Sequence, residues 1–107
     1  MLRSVLLFPG LATTPAIQAI RQRFDPLAAH IRPHVSLVFP FNSPASDSEV
    51  IQAVEQAFAT VQPFSVRFDQ LGNDGGDYYW LAASTGKNAI VSLHDRLYQM
   101  PIFAPYW

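Results

Sequence analysis

The sequence contains no cysteine and little charge. Without cysteine, disulfide bonds and thiolate zinc sites are excluded. Only 14% of the 107 residues are charged, and the formal net charge is −1 with a pI of about 6.2. This balance excludes the basic surface that holds long nucleic acid by charge. A short nucleotide end needs only a few cations, so a small phosphate ligand remains compatible with the composition.

Long apolar runs are also missing. No stretch approaches the roughly 20 residues of a membrane-spanning helix. The apolar start at 5–8 is interrupted by Pro9 and Gly10, too early for the core of a signal peptide. We therefore expect a cytoplasmic protein without membrane association. Half of the residues are hydrophobic, which is enough apolar material for one domain over residues 1–107.

Strand and helix patterns alternate along the chain. Short apolar runs at 4–8, 34–41, 64–68 and 78–83 predict strands, with a turn-rich loop at 72–77. Helix starts are predicted at Thr13-Thr14-Pro15, at the capping box Ser46-Asp47-Ser48-Glu49, and at 85–88. In the first helix an apolar stripe has helical spacing: Ile17, Ile20, Phe24 and Leu27. The second helix is expected to bury Val50, Ile51, Val54, Phe58 and Val61. The third is expected to bury Ile90, Leu93 and Leu97 and to end before Pro101. The order is β-α-β-α-β-β-α, which indicates an α+β fold with helices packed on one face of an antiparallel or mixed sheet.

The segment 34–41 has the clearest strand pattern. Alternation divides its side chains into two sets. The first set is expected to face a core under the helices: Val35, Leu37, Phe39 and Phe41. The second set is expected on the opposite, open face: His34, Ser36, Val38 and Pro40.

His34 and Ser36 can serve one phosphate together. Two residues apart on a strand, they share a face with their Cα atoms about 7 Å apart. The imidazole can give or take a proton near neutral pH, and the hydroxyl can hold a non-bridging phosphate oxygen. A bare His-x-Ser is more often an ordinary pair on the wet face of a strand. The tripeptide therefore needs support from its surroundings.

Those surroundings resemble a known family. The segments RQRFDP at 21–26 and IRPHVSL at 31–37 are similar to the 2H phosphoesterase superfamily, which includes 2′-5′ RNA ligase-like proteins and RNA cyclic phosphodiesterases. The element order matches over nearly the whole chain. The resemblance implies catalysis without metal or cofactor on 2′,3′-cyclic or 2′-5′ phosphodiester bonds of RNA ends or nucleotides. It also implies two facing His-x-[Ser/Thr] motifs, of which His34 and Ser36 would form one.

The sequence departs from this family pattern at its end. Family members carry the second motif on a strand after the third helix, and this sequence ends at Trp107. We therefore expect an incomplete domain whose monomer is inactive or weak. His94 has no serine or threonine two residues on and lies in a helical pattern. It is expected to be structural or to face solvent.

Other residues offer weaker candidates. Arg3 and Arg32 could each contact phosphate, although solvated arginines are an equal alternative. His30 and His34 have the spacing of a helical metal pair, but Pro33 lies between them, so no metal site is expected.

Two further motifs have ordinary explanations. The glycine-rich segment 72–76 lacks the lysine and following helix of a phosphate-binding loop. Tyr78, Tyr79 and Trp80 could stack on a base, but alternate members are expected in the core.

Two alternatives to a single-chain enzyme remain open. The chain could be a non-catalytic α+β module that binds a ligand or dimerises, or two chains could each contribute one motif to a composite site. The uncharged apolar segment 101–107 and an open sheet edge predict a homodimer or an exchanged-segment assembly. The natural substrate and the direction of reaction are not fixed by the sequence.

Overall fold

A computed structural model describes residues 1–11 and 14–107. Its elements are β1 (Leu2–Leu7), α1 (Thr14–Phe24), β2 (Val35–Asn42), α2 (Asp47–Phe58), β3 (Arg67–Asn73), β4 (Tyr79–Thr85), α3 (Lys87–Gln99) and a 3-10 helix (Ala104–Tyr106). The predicted α+β class and element order are confirmed. Thr13, proposed as part of a helix start, lies outside the described residues. The chain divides into two compact units, Met1–Ser43 and Pro44–Trp107.

The strands form two antiparallel pairs, β1 with β2 and β3 with β4, each in a two-stranded sheet. The first pair is irregular. From the pair Arg3–Phe41 to the pair Val5–Val38, β1 advances two residues and β2 advances three. From the pair Val5–Val38 to the pair Leu6–Ser36, β1 advances one residue and β2 advances two. Each extra residue is a bulge that shifts the alternation of faces by one.

These bulges overturn part of the predicted alternation in β2. Leu37 and Phe41 are buried as predicted, but Phe39 is 61% exposed and Val38 is 0% exposed, so those two predictions are wrong. Strict alternation assumes an unbroken register. Pro40 has no N–H for the ladder and lies at the first bulge, a position that tolerates proline. Leu37 is the extra residue of the second bulge, and it and its neighbour Val38 are both buried.

Helix α1 exposes much of its apolar stripe. Ile20 and Phe24 face solvent, whereas the side chain of Arg21 is only 15% exposed. The apolar spacing predicted the helix, but Ile20 and Phe24 on the stripe are exposed, whereas Arg21 off the stripe is hydrogen-bonded within the protein.

Helix α2 begins with the predicted capping box. The N–H of Glu49 donates to Ser46 Oγ at 3.2 Å, and the N–H of Ser46 donates to Glu49 Oε2 at 2.8 Å. The predicted burial of Ile51 is wrong, since this residue is exposed. The buried side chains follow i, i+3, i+7 spacing along one face: Val50, Ala53 and Ala57.

Helix α3 buries Leu93 and Leu97 and ends before Pro101, as predicted. It is tied to the end of α2, because Arg96 Nη1 donates to the carbonyl of Ala57 and to Thr60 Oγ1, both at 3.3 Å. Among the described residues, neither this helix nor any other is long and apolar enough to cross a bilayer.

The tail after α3 packs within its own unit. Phe103 is fully buried, which removes much of the exposed patch that the sequence suggested. Trp107 is 78% exposed, but its ring lies 4.8 Å from that of His94 and 5.0 Å from that of Tyr98, measured between centroids. His94 therefore takes part in the packing around the tail. Association into a homodimer stays a prediction.

The β3–β4 hairpin differs from its prediction in extent and in burial. β3 begins at Arg67 and runs through Asn73, into the predicted loop. Asn73 Nδ2 donates to the carbonyls of Gly76 and Tyr78 at 3.0 and 2.8 Å, which closes the turn next to Gly75 at φ +88°. The predicted burial of alternate aromatic residues in 78–80 is wrong, since all three are exposed. A two-stranded hairpin has too small a face to bury them.

Candidate active site

Ser36 is the second residue of β2, and His34 directly precedes this strand; both lie within the unit Met1–Ser43. Ser36 pairs with Leu6, and the same register places Phe8 across from His34. The rings of Phe8 and His34 are 6.0 Å apart between centroids, at an interplanar angle of 56°. His34 is exposed and Ser36 is half-buried. No bulge separates the two residues, so alternation sets them on the same face of the strand.

The imidazole of His34 is held by the backbone that precedes it. His34 Nδ1 lies 2.9 Å from the carbonyl oxygen of Arg32. A carbonyl can only accept, so this bond needs a proton on Nδ1. In the neutral ring Nε2 then carries the lone pair, and this is the nitrogen that can take a proton from a substrate. The contact thus selects the tautomer that suits a general base.

The side chain of Arg32 contacts the ring of Phe8. Its guanidinium carbon is 4.3 Å from the centroid of the Phe8 ring, a cation–π distance. Phe8 thereby contacts both His34 and the positively charged side chain of Arg32. The sequence offered no reason to place Phe8 here, because its role follows from the β1–β2 register, which a single sequence does not show.

Arg3 lies elsewhere on the sheet. It is paired with Phe41, whereas Leu7 at the other end of β1 is paired with Val35. Arg3 and Leu7 are four positions apart along the strand, a distance of about 13 Å. Arg3 Nη1 donates to the carbonyl of Ser43 at 3.3 Å. The structure does not bring Arg3 next to His34.

His30 is exposed in the turn that follows α1. The backbone N–H of His30 donates to the carbonyl of Leu27 at 2.9 Å. Among the residues that the structure describes, there is no group of three or more histidine, cysteine, aspartate or glutamate side chains that could hold a metal ion.

A polar network joins α1 to the segment that leads into β2. Arg21 Nε donates to Asp25 Oδ2 at 3.0 Å, and its Nη1 donates to Gln18 Oε1 and to the carbonyl of Ile31, both at 2.7 Å. Sequence reasoning placed Arg21 in the family-like motif but gave it no role. Its position off the apolar stripe, next to Asp25-Pro26, was the available signal.

Asp25 is held as a carboxylate. The backbone N–H of Leu27 and, next, the guanidinium of Arg21 lower the pKa of Asp25 below its usual 3.8. The charge of His34 acts in the same direction but is the smallest contribution. Asp25 is therefore ionised at neutral pH and forms a charge-assisted bond with Arg21.

Comparison with protein families gives a match that covers most of the chain. The family model described as the 2′-5′ RNA ligase superfamily matches residues 8–102, which include His34, Ser36 and the Arg21 network. No curated protein and no solved structure matches the chain. Because the family model covers most of the 107 residues, the chain belongs to the 2′-5′ RNA ligase superfamily of 2H phosphoesterases.

Proposed function

We propose that His34 and Ser36 form one half of a two-histidine site that acts on 2′,3′-cyclic or 2′-5′ phosphodiester bonds of RNA ends or nucleotides. The observation that carries the proposal is the bond between His34 Nδ1 and the carbonyl of Arg32, which leaves Nε2 of the imidazole available to exchange a proton with a substrate. The superfamily match over residues 8–102 supports the same chemistry.

The proposed reaction is an acid–base phosphoester cleavage. Water attacks phosphorus, the bond from phosphorus to one ribose oxygen breaks, and a proton moves from the water to that leaving oxygen by way of the protein. Nε2 of His34 takes the proton from water or, in the opposite role, gives one to the leaving oxygen. Ser36 Oγ donates a hydrogen bond to a non-bridging oxygen, and the charge of Arg32 offsets the charge that develops on the phosphate.

A second group is required, because His34 performs one of the two proton transfers at a time. His30 and His94 are followed two residues later by Arg32 and Arg96, not by serine or threonine. We propose that the second histidine comes either from another segment of the same protein or from a second copy of the chain. In the latter case a homodimer would form a composite site, and the isolated 107-residue monomer would be inactive or nearly so.

Turnover of a nucleoside 2′,3′-cyclic monophosphate by the natural gene product tests the proposal. His34→Ala is expected to lower kcat by at least about 100-fold, the scale of a general acid or base. Ser36→Ala is expected to lower it less, because one hydrogen bond to the phosphate is lost. His30→Ala is the matched control and should leave the rate unchanged. A His34→Ala protein with wild-type turnover would refute the assignment.

The occurrence of one His-x-Ser motif in 107 residues favours a second candidate, a non-catalytic ligand-binding or dimerisation module. Binding of the cyclic nucleotide without turnover, at every protein concentration tested, would support this candidate. A turnover rate that rises with the square of protein concentration would instead support the composite site. Light scattering on the same samples reports whether a dimer is present.

A further inference from the structure

We infer that Arg21 is a positioning residue for His34, acting through the successive backbone carbonyls of Ile31 and Arg32. The inference concerns how the imidazole is oriented and which nitrogen carries its proton. Its activity readout rests on the proposed function, whereas its structural readout does not.

The first step is the bonding of Arg21. With only 15% of its side chain exposed, the guanidinium cannot use water freely and donates to three protein acceptors. Two of them, Gln18 and Asp25, belong to α1 or the residue after it. The third is the carbonyl of Ile31, ten residues along the chain and three before His34. This last bond joins the helix to the segment that carries the histidine.

The backbone between Ile31 and His34 has few freely rotating torsions. The carbonyl of Arg32 is one peptide beyond that of Ile31, and it is the acceptor for His34 Nδ1. Proline at position 33 fixes its own φ and restricts Arg32 to extended conformations. Few soft torsions therefore separate the Arg21 guanidinium from the imidazole. A rotation of the Ile31 peptide is transmitted to the carbonyl that selects the tautomer.

Hydrogen bonds also close the turn between Asp25 and Ile31. Asp25 Oδ1 accepts from the N–H of Leu27 at 2.9 Å, and the N–H of Ile31 donates to the carbonyl of Leu27 at 3.0 Å. Ile31 is thus held through its N–H by the turn and through its carbonyl by Arg21. Lysine at position 21 would keep the charge but lacks the planar fork that reaches separate acceptors at fixed angles.

The experiment is nitrogen NMR on the 107-residue chain labelled with 15N in histidine. The spectra are recorded on the alkaline plateau where the ring nitrogen shifts no longer change with pH, so that they report which nitrogen carries the proton. The wild-type protein should show His34 with its proton on Nδ1. Arg21→Gln should move His34 toward the Nε2–H form that an unrestrained histidine prefers in water. Arg23→Gln, the same change two residues along α1, is the matched control and should leave His34 unchanged.

Thermal melting shows whether each variant is folded. If Arg21→Gln is unfolded, Arg21→Lys is measured in its place, and a partial shift of His34 toward Nε2–H is expected. A folded variant at position 21 that keeps the proton of His34 fully on Nδ1 overturns the inference. It is also rejected if both variants are unfolded, since Arg21 is then a stability residue.

Turnover gives a second readout. Arg21→Gln is expected to lower kcat about 10- to 100-fold with KM little changed, because the imidazole is misoriented rather than lost. Turnover is measured on the natural gene product; if that protein shows no turnover, the proposed function fails, yet the tautomer measurement on the 107-residue chain still decides the role of Arg21.

Discussion

A pair of alanine substitutions in β2 tests the bulged register that determines which residues face the site. Val38 is fully buried and Phe39 is 61% exposed. Val38→Ala removes two methyl-sized groups, worth about 1.6 kcal/mol in transfer free energy, and the cavity raises the cost to about 2–3 kcal/mol. Phe39→Ala removes a larger side chain that remains mostly in water, so we expect a loss of about 1 kcal/mol in the free energy of unfolding.

Urea unfolding followed by far-ultraviolet circular dichroism measures both losses. The midpoint should fall more for Val38→Ala than for Phe39→Ala, with similar slopes. A regular strand predicts the opposite order: about 3–5 kcal/mol for a buried Phe39 and less than about 0.5 kcal/mol for an exposed Val38. That opposite order would refute the bulged register and the orientation of β2 that follows from it.

Three further predictions concern other parts of the chain. Ser46→Ala should cost about 1 kcal/mol in urea unfolding, because it removes one bond of the exposed capping box with Glu49. Since the pKa of Asp25 is lowered on folding, its contribution to stability is present above its usual pKa of 3.8 and is lost as pH falls through the lowered value. An acid titration should therefore show a smaller loss of stability for Asp25→Asn than for the wild-type protein, and equal losses would contradict the Asp25 bonds. Gly86→Ala should lower the melting temperature. The left-handed backbone at φ +82° costs alanine about 1–2 kcal/mol, and the added Cβ would also clash with the carbonyl of Ser65.

Local signals in the sequence predicted the element order well. The capping box before α2 and the proline after α3 are chemical signals that act within a few residues, so they can be read from one sequence. Bulges and hairpin ends depend on pairing between distant segments. The burial of Val38 and the extension of β3 through Asn73 were missed for that reason.

The features of the candidate site also divide into those that local sequence predicts and those that depend on contacts between distant segments. His34 and Ser36 stand in one short motif, so their shared face could be predicted from alternation. The contact of Phe8 with His34 depends on strand register, and the bond from Arg21 to Ile31 depends on the path of the turn after α1. Neither follows from spacing. Arg3 and Arg32 looked equivalent in sequence, but the side chain of Arg32 contacts Phe8, which also contacts His34, whereas Arg3 donates to the carbonyl of Ser43.

The most direct test of the two-histidine account is an NMR titration of the chain with a nucleoside 2′,3′-cyclic monophosphate. We expect saturable shifts of the His34 imidazole and the Ser36 amide, while the imidazoles of His30 and His94 stay in place. The shift of Ser36 should be lost in His34→Ala. Saturating ligand that moves neither His34 nor Ser36, or that moves His94 instead, would contradict the assignment of this face of β2 as a phosphate site.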